Sequence, residues 1–522
     1  MNRTNFLRQL GWLTGGVALG LQGMPMRAYA HNPLGHNWAA DLAGVNPYAG
    51  QGNIVVLVQL QGGNDGLNTV VPFENDSYYQ KRPTIAIPKD KVLKLTTQLG
   101  LNPAMMAFQE LYGNGQVSIV QNVGYESPNR SHFRSTDIWL SGSDASVYEK
   151  EGWAGRYLTQ KYPSFPITLP EQPLAIQLGS VESMLLQSDA GSMGTVFDNP
   201  DLFYQLVKGT SADTEAIPNT PAGEELKFLK QIAAQSIRYA DVIKKKADLG
   251  KNVVTYPNTG LGKQLAIVAE LIAGGLTTPV YLTTIGGFDT HANQVTTGNT
   301  TSGQHATLLK TVADAVAAFT KDLAKQNRGD QVTVMTFSEF GRRVNQNGTS
   351  GTDHGTAAPL FVVGNTVRGG IIGTPPNLSD LDSNGDLKFK NDFRQIYASV
   401  LRDHLGVDAP TTQMILGRSF ETLPIFRQTP ALSLEEGPFA LGQNTPNPFI
   451  DTTDIQFTLN QTQHIRLTIY DLQGRELTVL RDGRFDAGNH VVPVSGAGLT
   501  AGHYLYSLQT DSGRVVKRMV KV

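Results

Sequence analysis

The feature that most limits the fold of this chain is a series of short apolar runs separated by segments with helical periodicity. The first run, residues 53–60, is almost continuously apolar and leads into the glycine-rich turn 62–66. Apolar runs of this length are typical of parallel strands that are buried on both faces. Further strands are predicted at 117–123, 279–285 and 331–337, with helices at 261–276 and 304–326. This alternation predicts an α/β domain with a mainly parallel sheet flanked by helices.

Length and composition narrow the class of protein further. A chain of 522 residues is too long for one ordinary core, so two or three folded units are expected. The formal net charge of -2 gives no preference for nucleic acid or for an anionic membrane surface. The chain has no cysteine, which excludes disulfides, thiolate metal sites and cysteine nucleophiles.

Residues 1–30 have the pattern of a cleavable signal peptide. Arg3 and Arg8 precede an apolar run, and residues 28–30 (AYA) form the small-x-small pattern that signal peptidase cleaves, here before His31. The start resembles a twin-arginine signal, but Thr4 stands where the second arginine is expected, so the Tat and Sec routes both stay open. The apolar run is too short for a permanent anchor, and no later segment is predicted to span a membrane. The alternative is an ordinary buried N-terminal helix.

Acidic and histidine side chains follow the predicted strands where those strands end. They are Asp65 after the first strand, Asp289 and His291 after 279–285, Glu339 after 331–337, and Asp353 and His354 shortly beyond. Ligands of parallel sheets gather at the carboxyl ends of the strands. Carboxylates and imidazoles that converge there suit a divalent metal ion. We therefore predict a shared metal site, where two close ions would activate a nucleophile and stabilise a transferring phosphoryl or sulfuryl group.

Each of these residues also has a purely structural interpretation. Asp65 lies in a Gly-Asn-Asp-Gly turn, where an aspartate often bonds to its own backbone. Glu339 and Arg342 could pair as i, i+3 neighbours at a helix start. Either histidine alone could be a structural residue. The joint location of these residues after strands, and no single one of them, favours the metal site.

Five short motifs carry a family resemblance. They are GGNDGLNTVVP at 62–72, SHF at 131–133, GFDTH at 287–291, FSEFGR at 337–342 and DHG at 353–355. In order and spacing they resemble an uncharacterised bacterial family that often carries a twin-arginine signal and is related to the alkaline phosphatase and sulfatase superfamily. The resemblance covers about residues 31–428. It implies an alkaline-phosphatase-like α/β domain over 31–430, and it implies a fold more firmly than an activity.

The same resemblance implies roles for the candidate metal ligands. Asp65 and Glu339 would bind one ion, while Asp289, His291 and His354 would bind the other. Glu339 and the following phenylalanine stand where relatives have an Asp-His pair, which removes an imidazole ligand. Zinc, calcium, magnesium and manganese therefore all stay open. Asp353 would be either a ligand or the group that orients His354.

In the superfamily, the nucleophile lies at a helix N-terminus after the second strand, where the helix dipole favours an anion. The candidates in the matching region are Ser131 as nucleophile, Ser135 and Ser127 as its rivals, Arg130 or Arg134 as an anion clamp, and His132 beside them. The predicted catalytic residues are thus Ser131, Arg130 and His132. The alternative is that Ser131 only caps the helix that follows it.

The end of the chain has a different pattern. A linker is predicted at 431–437, followed by a small β-sandwich over 438–522. Its predicted strands are 454–459, 464–470, 490–494, 503–508 and 514–522, separated by glycine, aspartate or asparagine turns.

Three motifs in this region, NTPNPF at 444–449, IYDLQGR at 469–475 and GLTAGHY at 498–504, resemble the C-terminal sorting domain of type IX secretion in Bacteroidetes-like bacteria. The resemblance implies recognition of residues 438–522 by the outer-membrane type IX machinery. It also implies a secreted or cell-surface protein that passes through the periplasm. A carbohydrate-binding or adhesive module is the alternative.

Together these features predict an exported metal-dependent hydrolase of phosphate or sulfate esters, with a small anionic ester as its substrate. A catalytically silent secreted or surface protein, which binds a ligand on the same fold, is the alternative from another class. The lost imidazole and the open choice of nucleophile favour that alternative.

Overall fold

The computed structural model describes residues 52–208, 220–427, 439–447, 449–471, 475–511 and 513–522. The predicted signal peptide (1–30) and linker (431–437) lie outside these residues. The chain divides into two compact units, Met1–Gln428 and Thr429–Val522, and each is described by itself.

The large unit contains a central sheet, small accessory sheets and helices. Its strands are β1 Ile54–Leu60, β2 Val70–Val71, β3 Leu93–Lys94, β4 Gly100–Leu101, β5 Val117–Gly124, β6 Ala175–Leu178, β7 Gln187–Ser188, β8 Gly191–Ser192, β9 Gly194–Phe197, β10 Val280–Ile285, β11 Val332–Phe337, β12 Ala358–Val363, β13 Gly370–Ile372 and β14 Asn391–Asp392. Its α-helices are α1 Gly66–Thr69, α2 Asp76–Lys81, α3 Met106–Gly113, α4 His132–Ser141, α5 Trp153–Lys161, α6 Pro200–Val207, α7 Pro221–Leu249, α8 Gly260–Ala273, α9 Gln304–Lys325, α10 Phe393–Ser399 and α11 Ala409–Leu416. The 3-10 turns Pro103–Met105 and Met184–Leu186 and the π-helical turn Val400–His404 are also present.

The central sheet has the strand order β13-β5-β12-β11-β1-β10-β6-β9, and β14 also pairs with β5. Neighbouring strands are parallel except at β12, which is antiparallel to both β11 and β5. The predicted class, a mainly parallel sheet flanked by helices, is confirmed. Because β12 runs in the opposite direction, it begins at the edge where β1, β5, β10 and β11 end. The loop before β12 therefore reaches the same edge as the loops that follow the other strands.

Both faces of this sheet are covered. In β1, Val56 and Val58 pack into the core on one face, and Val55 and Leu57 pack into the core on the other. Buried faces on both sides explain why β1 is a nearly continuous apolar run and not an alternating one. Each of the four strands predicted in this unit corresponds to an observed strand (β1, β5, β10 or β11) within one residue at either end.

The small unit is built from antiparallel strands. They are β15 Phe439–Leu441, β16 Thr452–Leu459, β17 Gln463–Tyr470, β18 Glu476–Phe485, β19 Gly488–Ser495, β20 Gly502–Thr510 and β21 Gly513–Lys521. The strands form two sheets, β15-β16-β19 and β18-β17-β20-β21. Ile455 and Phe457 from the first sheet share a core with Leu467 and Tyr506 from the second. The unit is thus a small β-sandwich, as predicted.

None of the helices in the described ranges combines the length and the apolar character that crossing a bilayer requires.

Candidate metal centre

Three loops and one helix meet at the edge of the sheet where β1, β10 and β11 end. The loop after β10 carries Asp289 and His291, the loop before β12 carries His354, and α4 begins at His132 after β5. Gly62, which follows β1, lets these loops approach. Its φ is +118°, and a Cβ on it would lie 2.3 Å from the backbone nitrogen of Asp289. A residue with a side chain would therefore force the two loops apart.

Three imidazole rings surround one carboxylate oxygen in this cluster. The Nε2 atoms of His291, His354 and His132 lie 3.1, 3.2 and 3.5 Å from Oδ1 of Asp289. The Nε2 atoms of His291 and His354 are 2.8 Å from each other. Ligand atoms of His132, Asp289 and His354 all lie within 4.8 Å of one another. The structure thus brings together three of the predicted metal ligands and adds His132, which the sequence placed among the catalytic residues.

Each ring is held through its other nitrogen. The Nδ1 of His132 lies 2.8 Å from Oε1 of Glu339, and the Nδ1 of His291 lies 3.0 Å from Oδ1 of Asp353. The Nδ1 of His354 lies 2.8 Å from the carbonyl oxygen of Arg130. A carbonyl or an ionised carboxylate can only accept, so Nδ1 is the donor in each pair. In the neutral rings, the Nε2 lone pairs therefore face Asp289 and one another.

This donor set fits a divalent metal ion. The Nε2 atom of His132 is buried and has no hydrogen-bond partner among the described residues, an arrangement that costs free energy unless something binds there. Two imidazole lone pairs 2.8 Å apart repel each other unless a cation lies between them. Three imidazole nitrogens and one carboxylate oxygen match the ligands and the coordination number of zinc-like ions. Ligand histidines whose Nδ1 is held by a carboxylate or a carbonyl are also usual at metal sites.

Arg342 forms an ion pair with Asp289. Its guanidinium is fully buried and places Nη2 2.5 Å from Oδ1 of Asp289. The same side chain donates to the carbonyls of Gly63 at 2.7 Å and Thr352 at 2.8 Å, so it ties the three loops together. Burial raises the pKa of Asp289, but the hydrogen bond and the charge of Arg342 outweigh it, and the pKa lies below its usual value. Arg342 therefore pairs with Asp289 and not with Glu339.

Glu339 and Asp353 hold histidines rather than facing the centre. Besides His132, Glu339 Oε1 accepts from the backbone N–H of Gly62 at 2.8 Å. Asp353 also accepts from Asn347, and that hydrogen bond and the nearby His291 lower the pKa of Asp353 below its usual value. Burial lowers the pKa of His354. Both acids were predicted as metal ligands, with orientation of His354 as the alternative for Asp353; in the structure Asp353 contacts His291 instead, and the Nδ1 of His354 contacts the carbonyl oxygen of Arg130.

The structure does not bring Asp65 into this cluster. Its carboxylate is buried, and Oδ2 lies 2.6 Å from Nη1 of Arg82 and 2.6 Å from Nε2 of Gln294. Burial raises the pKa of Asp65, but the charge of Arg82 and its hydrogen bond bring the pKa below its usual value. Arg82 belongs to no motif in the sequence. In the described residues no group of three possible acidic or histidine ligands includes Asp65, so the structure does not supply the second ion site that the resemblance implies.

We expect the substitution Arg82→Leu to lower the free energy of unfolding by about 3 kcal/mol, because it leaves a buried carboxylate without its charged partner. Urea denaturation of the purified protein measures the loss. The double variant Asp65→Asn/Arg82→Leu is the matched control, and it should recover part of the stability because the unpaired charge is gone. Equal stability of Arg82→Leu and the parent protein would show that the ion pair contributes nothing.

The three candidate serines have different surroundings. Ser131 is exposed at the N-terminus of α4, and its side chain makes no capping hydrogen bond. Ser135 is fully buried, with its hydroxyl 2.7 Å from that of Tyr125 and bonded to the carbonyl of Glu339. Ser127 is exposed and has a left-handed backbone, with φ at +55°. Only Ser131 is both exposed and adjacent in sequence to a member of the cluster.

The two candidate anion clamps are bound to other groups. Arg130 pairs with the buried carboxylate of Asp386, and its Nη2 lies 3.4 Å from Oδ2 of Asp382. Arg134 donates to the carbonyls of Ala145 and Val147 at 2.9 and 2.5 Å. The positive group nearest to Asp289 in the described residues is instead Arg342.

Two family models match this chain. Residues 262–422 match the model of a family described as a protein of unknown function (DUF1501). The predicted family resemblance is confirmed over this segment. Residues 445–522 match the model of a secretion system C-terminal sorting domain. This domain indicates export, so the predicted secreted or cell-surface localisation is confirmed as well. No curated protein matches the chain.

The chain is also distantly similar to solved structures. A protein of the alkaline phosphatase superfamily from Vibrio parahaemolyticus has a TM-score of 0.34 at 9% identity, over 80% of this chain and 77% of the other. A sulfatase of glycosaminoglycan metabolism from Bacteroides thetaiotaomicron has a TM-score of 0.35 at 11% identity, over 83% and 89%. The lipoteichoic acid synthase LtaP from Listeria monocytogenes has a TM-score of 0.32 at 7% identity, over 86% and 90%.

Proposed function

We propose that the protein is a secreted metal-dependent hydrolase of phosphate or sulfate esters. The observation that supports this most is the convergence of three imidazole Nε2 atoms on Oδ1 of Asp289, with each ring held through Nδ1. Such preorganised ligands are costly to assemble unless they bind something.

In this proposal, one divalent ion is held by the four residues Asp289, His132, His291 and His354. The ion would supply Lewis-acid chemistry toward a phosphoryl or sulfuryl oxygen. Glu339 and Asp353 keep two of the rings directed at the site. The hydrogen bond and the charge of Arg342 hold the pKa of Asp289 below its usual value, so the ligand carboxylate carries a negative charge at neutral pH.

Ser131 is the proposed nucleophile. Its exposed hydroxyl lies at the N-terminus of α4, directly before His132. The free N–H groups and the dipole of a helix N-terminus favour the negative charge that develops on an ester oxygen. Ser131 Oγ would attack phosphorus or sulfur, the ester alcohol would leave with the hydroxyl proton, and water would then release phosphate or sulfate.

One observation favours the second candidate function, a catalytically silent protein that binds a ligand through the same cluster. The described residues contain one group of closely spaced candidate ligands, His132, Asp289 and His354, and Asp65 is not part of it. A single ion can bind an anionic ligand without catalysing transfer of a phosphoryl or sulfuryl group.

Hydrolysis of model esters tests the proposal. After chelation and addition of Zn²⁺, Ca²⁺, Mg²⁺ or Mn²⁺ in turn, we expect the purified protein to turn over 4-nitrophenyl phosphate or 4-nitrophenyl sulfate. Ser131→Ala should lower kcat by about a thousandfold without changing the bound metal, because the nucleophile is lost while the ligands remain. Ser379→Ala, at an exposed serine elsewhere, is the matched control.

The two candidate functions give different results. If the protein binds metal, turns over neither ester and is unaffected by Ser131→Ala, the hydrolase proposal is wrong and the binding function is supported. Turnover that survives Ser131→Ala but needs metal would keep the hydrolase and remove Ser131 as its nucleophile.

A further inference from the structure

A cavity of about 300 Å³ is present in the large unit, and the surface that faces it is mostly apolar. Residues that line it include Tyr125, Pro128, Phe340, Leu387 and Phe389. An engineered apolar cavity of about 150 Å³ is large enough to bind benzene. The cavity of this protein has about twice that volume, which suits a compound of two fused six-membered rings.

Segments that build the candidate metal centre also build part of the cavity wall. Tyr125 lies in the loop between β5 and α4, the helix that begins at His132. Thr356 lines the cavity and is the second residue after His354. The ring of Phe340 lines the cavity as well, and its centroid lies 4.9 Å from that of His132 and 4.8 Å from that of His354. The cavity is therefore a neighbour of the metal centre.

The two hydroxyl groups of the wall are engaged within the protein. The hydroxyl of Tyr125 lies 2.7 Å from that of Ser135 and accepts from the backbone N–H of Asn129 at 3.1 Å. The hydroxyl of Thr356 donates to the carbonyl oxygen of Leu387. Contact with a ligand in this cavity therefore depends mainly on apolar surface, and removal of apolar surface from water favours binding.

The charged groups that line the cavity compensate one another. They are Asp382, Lys388 and Lys390. Lys388 pairs with Asp380, so the two remaining charges, on Asp382 and Lys390, have opposite signs. The wall thus favours neither an anion nor a cation, and transfer of an unpaired charge into an apolar cavity costs free energy. We propose that this cavity binds an uncharged apolar ring compound of about the size of naphthalene. Such binding goes beyond ester hydrolysis and does not require it.

Three ligands with the same ring system test the proposal by isothermal titration calorimetry in the presence of EDTA. We expect uncharged 2-naphthol to bind the purified protein at one saturable site. Naphthalene-2-sulfonate carries a negative charge and 2-naphthylmethylammonium a positive one, so each should bind about tenfold more weakly. If either ion binds as tightly as 2-naphthol, the assignment of an uncharged ligand is wrong.

Two substitutions in the wall locate the bound ligand. Phe389→Ala removes a half-buried ring that lines the cavity, so 2-naphthol loses apolar contact and should bind about tenfold more weakly. Ala357→Leu places a larger side chain at a buried position of the wall and should weaken 2-naphthol by about the same factor. Thermal unfolding of both variants checks that each is folded.

Phe420→Ala is the matched control for Phe389→Ala, because Phe420 is also half-buried and is not among the residues that line the cavity. It should leave the affinity for 2-naphthol unchanged. The proposal is overturned if 2-naphthol shows no saturable binding, or if Phe389→Ala and Phe420→Ala have the same affinity. Because the metal is chelated, a failure of the hydrolase proposal leaves this result unaffected.

Discussion

The substitution His354→Ala is expected to reduce the bound divalent metal from about one ion per chain to a small fraction of that after dialysis. It removes an imidazole that lies 3.2 Å from Oδ1 of Asp289 and 2.8 Å from Nε2 of His291. Loss of one ligand out of four costs far more than loss of a supporting hydrogen bond, which typically weakens metal binding by 10- to 100-fold. Ester turnover should fall about a thousandfold or more with the metal. Mass-spectrometric metal analysis and turnover of 4-nitrophenyl esters measure the two effects.

Glu339→Gln is expected to reduce the bound metal less than His354→Ala does. An amide in this position can still accept from Nδ1 of His132, so most of the metal should stay bound. His464→Ala, at an exposed histidine of the small unit, is the matched control and should change nothing. If His354→Ala retains metal at the level of the parent protein, the cluster is not the binding site. Added metal should restore turnover in the chelated parent protein but not in His354→Ala. That result would show that metal binding and ester turnover depend on the same residues.

The fold of the large unit could be predicted where local sequence reflects burial on both faces of a sheet. β1 and β11 could be predicted from their sequences alone, because every residue in each strand is buried and the apolar runs are therefore nearly continuous. The position of β12 could not be predicted. It lies between β5 and β11, which are far from each other in the chain, and strand order depends on such long-range pairing rather than on local pattern.

In the small unit, β18 has no counterpart among the predicted strands. It is an edge strand whose side chains are mostly exposed. Two of its residues, Glu476 and Asp482, pair with Arg466 of the neighbouring strand. Charges on an edge strand protect it from pairing with other chains, and they also remove the apolar alternation that identifies a strand in the sequence.

The candidate site, too, could be predicted only in part from the sequence. Asp289, His291 and His354 were predicted because they follow or precede strands that meet at one edge. His132 was predicted as a catalytic residue and not as a member of the metal cluster, because the helix that it begins is brought to Asp289 only by the packing of the folded chain. The signal available was its position directly after Ser131 in the SHF motif. Asp65 follows a strand as expected, yet the arginine that neutralises it could be found only by folding the chain.

Removal of residues 438–522 is expected to stop the protein in the periplasm. The small unit matches a secretion system C-terminal sorting domain over residues 445–522, and it has its own core, shared between two sheets. Cell fractionation with immunoblotting should find the parent protein at the cell surface or in the medium, and the truncated protein inside the outer membrane. The large unit keeps its own three hydrophobic clusters, so its thermal unfolding should be nearly unchanged, which separates a sorting defect from a folding defect.

A fusion supplies the reciprocal control for this truncation. Residues 438–522 appended to a periplasmic reporter should carry that reporter across the outer membrane, because a sorting signal in a separately folded unit acts independently of its passenger. Tyr506→Ala within the fusion should prevent this, since Tyr506 is fully buried between the two sheets and its hydroxyl bonds to the backbone of Asn444 and Gly442. Replacement of a buried aromatic side chain by alanine typically costs about 3–5 kcal/mol, enough to unfold a small domain. If the truncated protein reaches the medium as efficiently as the parent, recognition lies elsewhere in the chain and the sandwich is a passenger.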